Sequence, residues 1–574
     1  ARRKMTDDGK AYVELMTGTF SNNQPDYSWI LPHSVKDAKN YWYPIRDLEI
    51  VKNSTKEAAV TLQLRNPKTI FYGFNTTASY QNAKLVLSYG DEILVEKRIT
   101  IDPETPFTDT YKSRKILDEY QLHIALQDAQ GNELVSYTPY KAQNPELPEP
   151  QPKVKKPEEL TSVEDLYLTG RFVEQFKRPG LNADDYYLAA LKKAPNDYRI
   201  NLALGMRRVD QTRYNEGLEY LNRAANRLKV KYYQPKEGEL FYYRGLAYRA
   251  LGQMDEAYEN FGRATWYYSW YSAANFQLAQ MEALSENYTK ALDYIKEAYS
   301  TNNRDSRITI LNSTLLRKRG EKEEAKNLID ELLSYDPLNF AVLYENNLLN
   351  SEPSMKAWYK NMQDVENNHL EVVTHYMNAG LWDEGISLLT ALGESKNPLV
   401  DYYLAWFYAQ NGNKEKALQS ARLASTKSLE YVFPYRIETE RVLEEVIKLN
   451  PEDGIAHYLL GNLLYDKRPN EAMKSWRQAA EVDGSMAMVW RNMAFAAFYH
   501  QKEPKQAIEY LNKAISLDNS YPLWYSELSK YYDASEEDFA NNLAVLRKNL
   551  DVVKKDVAAP KTYVELLNLN GEFD

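Results

Sequence analysis

The chain has 574 residues, 44% of them apolar and 26% charged, enough for several domains with ample core. Its net charge of -10 is dispersed, so the basic stripe that nucleic-acid binding requires is missing, and no apolar run reaches the roughly 18 residues of a membrane span. The absence of cysteine excludes disulfides, thiolate metal sites and cysteine nucleophiles.

Residues 1–52 open with Ala11-Tyr-Val-Glu-Leu15 and close with Trp42-Tyr-Pro-Ile-Arg46, around a loop rich in Asn, Gln, Pro and Ser. Residues 53–142 read as short strands. Ala58 to Arg65 partly alternates, and Lys84 to Tyr89 leads through Gly90-Asp91 into Ile93 to Thr100, a hairpin signal. A second pair, Tyr120 to Leu126 and Glu133 to Tyr137, flanks Asp128-Ala-Gln-Gly131. Such strands with Gly/Asp turns predict an antiparallel β-sandwich of immunoglobulin size. Residues 143–160 are a linker: five prolines between Asn144 and Pro157 favour an extended polyproline segment over helix or central strand.

Tyr12-Val-Glu-Leu-Met-Thr-Gly-Thr-Phe20, the polar loop after it, Leu31-Pro-His-Ser-Val35 and the aromatic strand around Trp42 resemble the last strands of a galactose-mutarotase-like β-supersandwich. The resemblance implies a general base at Glu14, which would take the proton of an anomeric hydroxyl. It departs from the family at Pro32-His33-Ser34, where Pro-Gly-Glu is usual, and the family's two histidines would lie upstream of residue 1.

From residue 161 to 574 the pattern is helical and repetitive. Gly245, Tyr248, Gly252, Ala257, Phe261 and Ala264 are answered 34 residues later by Ala279, Glu282, Glu286, Ala291, Ile295 and Ala298. A third copy, again 34 residues on, has Ser313, Leu316, Gly320, Ala325, Ile329, Leu332 and a closing Pro337. A small residue in one apolar helix, a turn, then Ala-x3-apolar-x2-Ala in a second helix makes a helical hairpin whose small positions allow close approach. Residues 340–370 lose the pattern, which returns at Gly380-Leu-Trp-Asp-Glu-Gly385, at Leu404-Ala405 and at Leu460-Gly461.

This period and these residues resemble the tetratricopeptide repeat (TPR), in about eleven or twelve hairpins of an all-α superhelical solenoid. With Gln24 to Pro32 and Asn40 to Ile45, the whole chain resembles a bacterial domain-of-unknown-function family that joins a mutarotase-like domain to a TPR array. The resemblance implies a sugar-type fold upstream and a cell-envelope location, periplasmic or at the outer membrane. Ala1 is neither an initiator Met nor part of a signal peptide, and Tyr563 to Asp574 reads as a first helix and turn, so the chain is expected to be a piece of a longer protein at both ends.

No His-Glu-x-x-His, phosphate loop, Gly-x-Ser-x-Gly or EF-hand spacing occurs. The six histidines are scattered, and His369 and His375 are badly spaced to share a helical face. Neither cofactor nor metal is expected. The candidate binding surface is the inner face of the array, where the repeat positions three before, one after and four after the small residue place Tyr242, Leu246 and Arg249, then Tyr402 and Trp406, Tyr458 and Tyr465, and Arg491, Phe495 and Phe498. Tyr and Arg bring large contact area to interfaces. The leading expectation is a scaffold whose groove binds a protein partner or the chain's own upstream domain. One alternative is the accessory part of a carbohydrate-active enzyme; another is glycan binding without turnover.

Overall fold

The computed structural model describes residues 39–141, 153–176, 180–230, 235–236, 238–350, 358, 362, 365–535 and 538–573. They fall in two compact units, one ending at Lys155 and one beginning at Lys156. Glu14 and the mutarotase-like strands before residue 39 lie outside the described residues.

The first unit is a β-sandwich. One sheet has the order β1 (Asn53–Ser54), β2 (Ala58–Asn66), β3 (Thr69–Thr76) and β6 (Phe107–Lys112). The other runs β5 (Glu92–Ile101), β4 (Tyr80–Tyr89), β7 (Leu122–Gln127) and β8 (Glu133–Tyr137), and all pairings are antiparallel. The chain changes sheets after β3, after β5 and again after β6, the Greek-key habit of immunoglobulin-size sandwiches. Val60, Leu62, Ile70, Tyr72 and Phe74 from one sheet meet Leu85, Leu87, Ile124 and Leu126 from the other in one core. Their alternation with outward residues is what the strand period of two demands.

The second unit is helical. Its first part runs α1 (Val163–Gln175), α2 (Ala183–Lys193), α3 (Tyr198–Asp210), α4 (Tyr214–Lys229), α5 (Glu239–Ala250), α6 (Met254–Ala264), α7 (Tyr268–Leu284), α8 (Tyr288–Thr301), α9 (Ser306–Arg319), α10 (Lys322–Tyr335) and α11 (Phe340–Asn350). Its second part runs α12 (Glu366–Ala379), α13 (Trp382–Ala391), α14 (Pro398–Gln410), α15 (Lys414–Ala424), α16 (Glu438–Leu449), α17 (Gly454–Leu464), α18 (Pro469–Val482), α19 (Ala487–Ala496), α20 (Pro504–Leu517), α21 (Pro522–Asp533), α22 (Phe539–Lys548), α23 (Leu550–Val553) and α24 (Ala559–Leu569). Odd and even helices pair as antiparallel hairpins up to α10. The repeat residues do what their spacing predicts: a Cβ on Gly245 would stand 2.6 Å from the ring of Phe261, the buried apolar residue of the partner helix.

The hairpin turns need a left-handed residue. Gly252, Gly320 and Gly412 supply it with φ of 75°, 84° and 77°, but the second repeat uses Glu286 at φ 59°. A side chain in that region is strained by about 1–2 kcal/mol. Glu286 is exposed, so Glu286→Gly should stabilise the unit by about 1 kcal/mol, measured as a rise in the urea midpoint. A fall would mean that the Glu286 side chain makes a favourable contact worth more than the strain.

Beyond α11 the array folds back. Leu284 at the end of α7 meets Gly380, and Arg249 of α5 donates to the Asn378 carbonyl of α12 at 2.7 Å. Further out, Tyr214 of α4 feels the charges of Glu440 and Arg441 of α16. The Thr212 hydroxyl accepts from Arg468 at 2.7 Å, and Glu174 and Asp184 share a cavity of about 700 Å³ with Arg468 and His500. Residue numbers on the first arm fall while those facing them rise, so the two arms run antiparallel; a continuous superhelix would keep a constant offset. The reversal coincides with residues 340–370, where the repeat pattern lapses.

At the pivot the arms are joined by a buried polar cluster. Glu345 of α11, fully buried, accepts from Arg317 of α9 at 2.7 and 3.2 Å and from the Tyr376 hydroxyl of α12 at 2.6 Å. Arg317 also reaches Glu384 of α13 at 3.2 Å, with Lys318 at 3.1 Å from the same oxygen.

Candidate interaction surface

The inner positions named from the sequence divide into three groups. Tyr402 and Trp406 are corrections: they are 0% and 5% exposed and present no open surface. The Tyr402 hydroxyl donates to Asp453, the N-cap of α17, at 2.8 Å, and Trp406 packs edge-on against Trp382 and Phe407. Neighbouring helices α13, α16 and α17 cover these positions, so they serve as core. Tyr242 and Arg249 stand where the two arms meet. Tyr242 stacks on Trp270 with centroids 4.8 Å apart, and Arg249 is bonded to Gln277, Gln280 and Asn378.

Leu246 packs half-buried against the helical core, and the other five lie near one another. Tyr465 at the C-cap of α17 and Arg491 and Phe495 on α19 line a trough, with Phe498 beside it in the π-helical turn Ala497–Gln501. Tyr458 on α17 is largely buried, close to Asn462 and Arg491. The Tyr465 ring is 5.4 Å from Trp476 and 6.0 Å from Phe495; Phe495 is 4.4 Å from Tyr499, and Phe498 stacks on Tyr531 at 4.4 Å. Offset and edge-on contacts of this kind add about 0.5–1.5 kcal/mol per pair beyond area burial, so the trough is a stiff aromatic wall.

Its polar groups are fixed as well. Arg491 grips Glu527 of α21 through two hydrogen bonds, one of 3.0 Å, and lies 4.8 Å above the Phe495 ring. Burial opposes the Arg491 charge, but the Glu527 carboxylate outweighs it and holds the guanidinium above its ordinary pKa. Asn462 Oδ1 accepts from Trp476 Nε1 at 3.1 Å and from Asn492 at 2.9 Å. Burial raises the Tyr465 phenol, which therefore stays a neutral donor across the ordinary pH range. Lys530 donates to the Tyr499 hydroxyl at 2.8 Å.

One side of the trough was not legible from the repeat. The connection between α15 and α16 carries Tyr431, Phe433 and Tyr435, which are 83%, 71% and 62% exposed. Phe433 and Pro434 close a cavity of about 260 Å³ against Tyr465, Trp476, Arg491 and Phe495. The available signal was the aromatic density of Tyr431-Val-Phe-Pro-Tyr435 in a link longer than a hairpin turn. Among the described residues no group of three or more His, Asp or Glu could hold a metal ion, and no helix is long and apolar enough to cross a membrane.

Residues 53–137, the sandwich, match the family model for the second domain of YphG-like proteins. Among solved structures, a tetratricopeptide repeat protein from Parabacteroides merdae is 15% identical over 50% of this chain and 98% of its own, with a TM-score of 0.32. YrrB, a TPR protein with an unusual peptide-binding site, is 18% identical over 41% of this chain and 96% of its own, TM-score 0.17. The Cut9–Hcn1 hetero-tetramer of the APC/C is 14% identical over 71% of this chain and 90% of that one, TM-score 0.22. The second unit is an array of helical hairpins that follows the β-sandwich in the chain and carries a 34-residue, TPR-like repeat. In that helical unit the fold-back fills much of the inner face and leaves the α17–α21 trough open.

Proposed function

We propose that the TPR unit is an interaction scaffold whose α17–α21 trough receives an extended segment of a partner protein, anchored by one large apolar side chain in the Phe433–Trp476–Phe495 cavity. The supporting observation is an open, aromatic-lined cavity with the exposed Phe433 at its edge. At about 260 Å³ it falls below the roughly 300–1,000 Å³ typical of small-molecule sites, which favours a single anchoring side chain. Asn492 and Lys530 stand beside it as donors for the segment's backbone carbonyls.

A displayed random-peptide library selected on the full chain should yield sequences sharing one aromatic or long aliphatic anchor. Phe495→Ala and Phe433→Ala should each weaken a selected peptide by about 2 kcal/mol, the scale of a buried interface anchor; the exposed Phe433 should leave the thermal midpoint unchanged on replacement, whereas loss of the Phe495 ring contacts should lower it. Selected peptides that bind both variants as tightly as the parent chain would remove the trough from consideration.

The resemblance of residues 12–46 supports a wider reading, in which the scaffold belongs to a bacterial envelope protein engaged in glycan handling and Glu14 is the base of a site completed by residues upstream. Oligosaccharide turnover by a longer chain that includes those residues, compared with its Glu14→Gln variant, tests it; equal rates exclude Glu14 as the base.

A further inference from the structure

Where the arms meet, two arginines converge on one residue. Arg249 of α5 donates to the backbone carbonyl of Asn378 at 2.7 Å, and Arg441 of α16 donates to its Oδ1 at 2.5 Å. The other acceptors of Arg249 are the neutral amides Gln277 and Gln280, at 2.5 and 2.8 Å. Neither guanidinium forms an ion pair among the described residues. The nearest carboxylate to Arg441, Glu438, instead accepts from Asn378 Nδ2 at 3.2 Å. Asn378 lies in the last turn of α12, whose C-terminal carbonyls offset only part of a unit charge.

The result is a like-charge pair in which Glu438 offsets part of the Arg441 charge, while no carboxylate acts on Arg249. Burial, and next the Arg441 charge, push Arg249 down to about 10, and burial lowers Arg441. Proteins elsewhere neutralise such charges with a carboxylate or phosphate, for which the planar guanidinium is the preferred receptor. Arg249 is half-buried and Arg441 is exposed.

We propose that the gap between Arg249 and Arg441 is an oxyanion site, taking one carboxylate or phosphate group and bridging the two arms of the array. This rests on the arm junction alone and not on the trough. Because Arg249 belongs to the first arm and Arg441 to the second, only the closed arrangement presents both donors. The anion therefore stabilises closure by mass action, and arms that separate lose it. Trp406, whose ring lies 5.3 Å from the Arg441 guanidinium, holds that donor in place when the site is empty.

The test uses the full chain at low ionic strength, titrated calorimetrically with inorganic phosphate and with a hexaglutamate peptide, against sodium chloride at matched ionic strength. Because the chain has no cysteine, a spin-label pair at Ala250→Cys and Glu444→Cys reports the distance between the arms without background. Saturable binding of either probe, with a narrowed label distance, is expected, and the probe that binds names the source as phosphate or carboxylate. Arg441→Gln should weaken binding about tenfold or more and abolish the narrowing, whereas Arg477→Gln, an exposed arginine elsewhere on the array, should change neither. If Arg249→Gln fails to fold, Arg441→Gln decides alone. Binding by Arg441→Gln at parental affinity, or no response to either probe beyond that to chloride, overturns the proposal.

Discussion

Replacing Arg317 by alanine should destabilise the TPR unit by about 3–5 kcal/mol, the cost of leaving a buried carboxylate without its partner. Glu345 is fully buried and takes both of its strong charge-assisted bonds from Arg317; the Tyr376 hydroxyl cannot replace a cation. The damage should also be local to the pivot, because Arg317 joins α9 to α11 and α13, and Glu345 joins α11 to α12. In a repeat array each hairpin is stabilised by its neighbours, so hydrogen exchange should accelerate first in α9–α13. The pair of charges is expected to add little net stability over an apolar match. Arg317→Met with Glu345→Leu and Tyr376→Phe should therefore recover most of what Arg317→Ala loses. A loss under about 1 kcal/mol for Arg317→Ala would show that Glu345 reaches water or a proton, and that the cluster is not what holds the pivot.

Gly461→Val should cost about 2 kcal/mol or more and empty the trough of its binding capacity. Exchanging a mid-helix glycine for a residue with a side chain ordinarily gains about 0.5–1 kcal/mol. Here a Cβ would stand 2.3 Å from Trp476 Nε1 and 2.4 Å from its Cδ1. The indole is buried and tied to Asn462 at 3.1 Å, so it cannot yield without breaking that bond and the Tyr465 contact. Overpacking of this kind costs about 1–3 kcal/mol, and the lost hydrogen bond adds about 1 kcal/mol, so the collision outweighs the helix gain. Gly262→Ala in α6 is the control: nothing lies within 4 Å of its Cβ position, and it should stabilise by about 0.5–1 kcal/mol. Denaturation midpoints of the two variants decide the matter. Opposite signs are expected; a neutral Gly461→Val would mean that α17 and α18 slide apart easily.

The repeat was readable because hairpin packing is local. Gly245 and Phe261, or Gly461 and Trp476, lie within one hairpin, and their spacing states the contact directly. The sandwich was partly readable for the same reason, since β4–β5 and β7–β8 are hairpins with Gly90 and Gly131 at their turns. Three strands were missed: the two-residue β1, β3 and β6. β3 forms a tight hairpin with β2, but its turn at Pro67-Lys68 lacks the Gly/Asp signal and β3 itself carries Gly73 and ends in polar residues. β6, Phe-Thr-Asp-Thr-Tyr-Lys, is a half-exposed edge strand that pairs with β3, distant in sequence.

The candidate site shows the same division. Tyr465, Arg491 and Phe495, named from repeat position alone, line one cavity, and Tyr458 and Phe498 lie near it. Identical logic named Tyr402 and Trp406, yet these are core, because repeat position tells which way a side chain points within its hairpin and nothing about what lies opposite. The sequence by itself determined the hairpins, their close-packed small residues, their turns and the loss of pattern at residues 340–370. Only the tertiary structure decided that the array folds back beyond α11, that Arg249 and Arg441 meet at Asn378, and that Phe433 lines one side of the trough. The physical reason is range: helix and hairpin packing is encoded at separations within one repeat, whereas the arms meet through contacts between residues many repeats apart, such as Arg249 with Asn378 and Arg468 with Thr212, that leave no periodic trace.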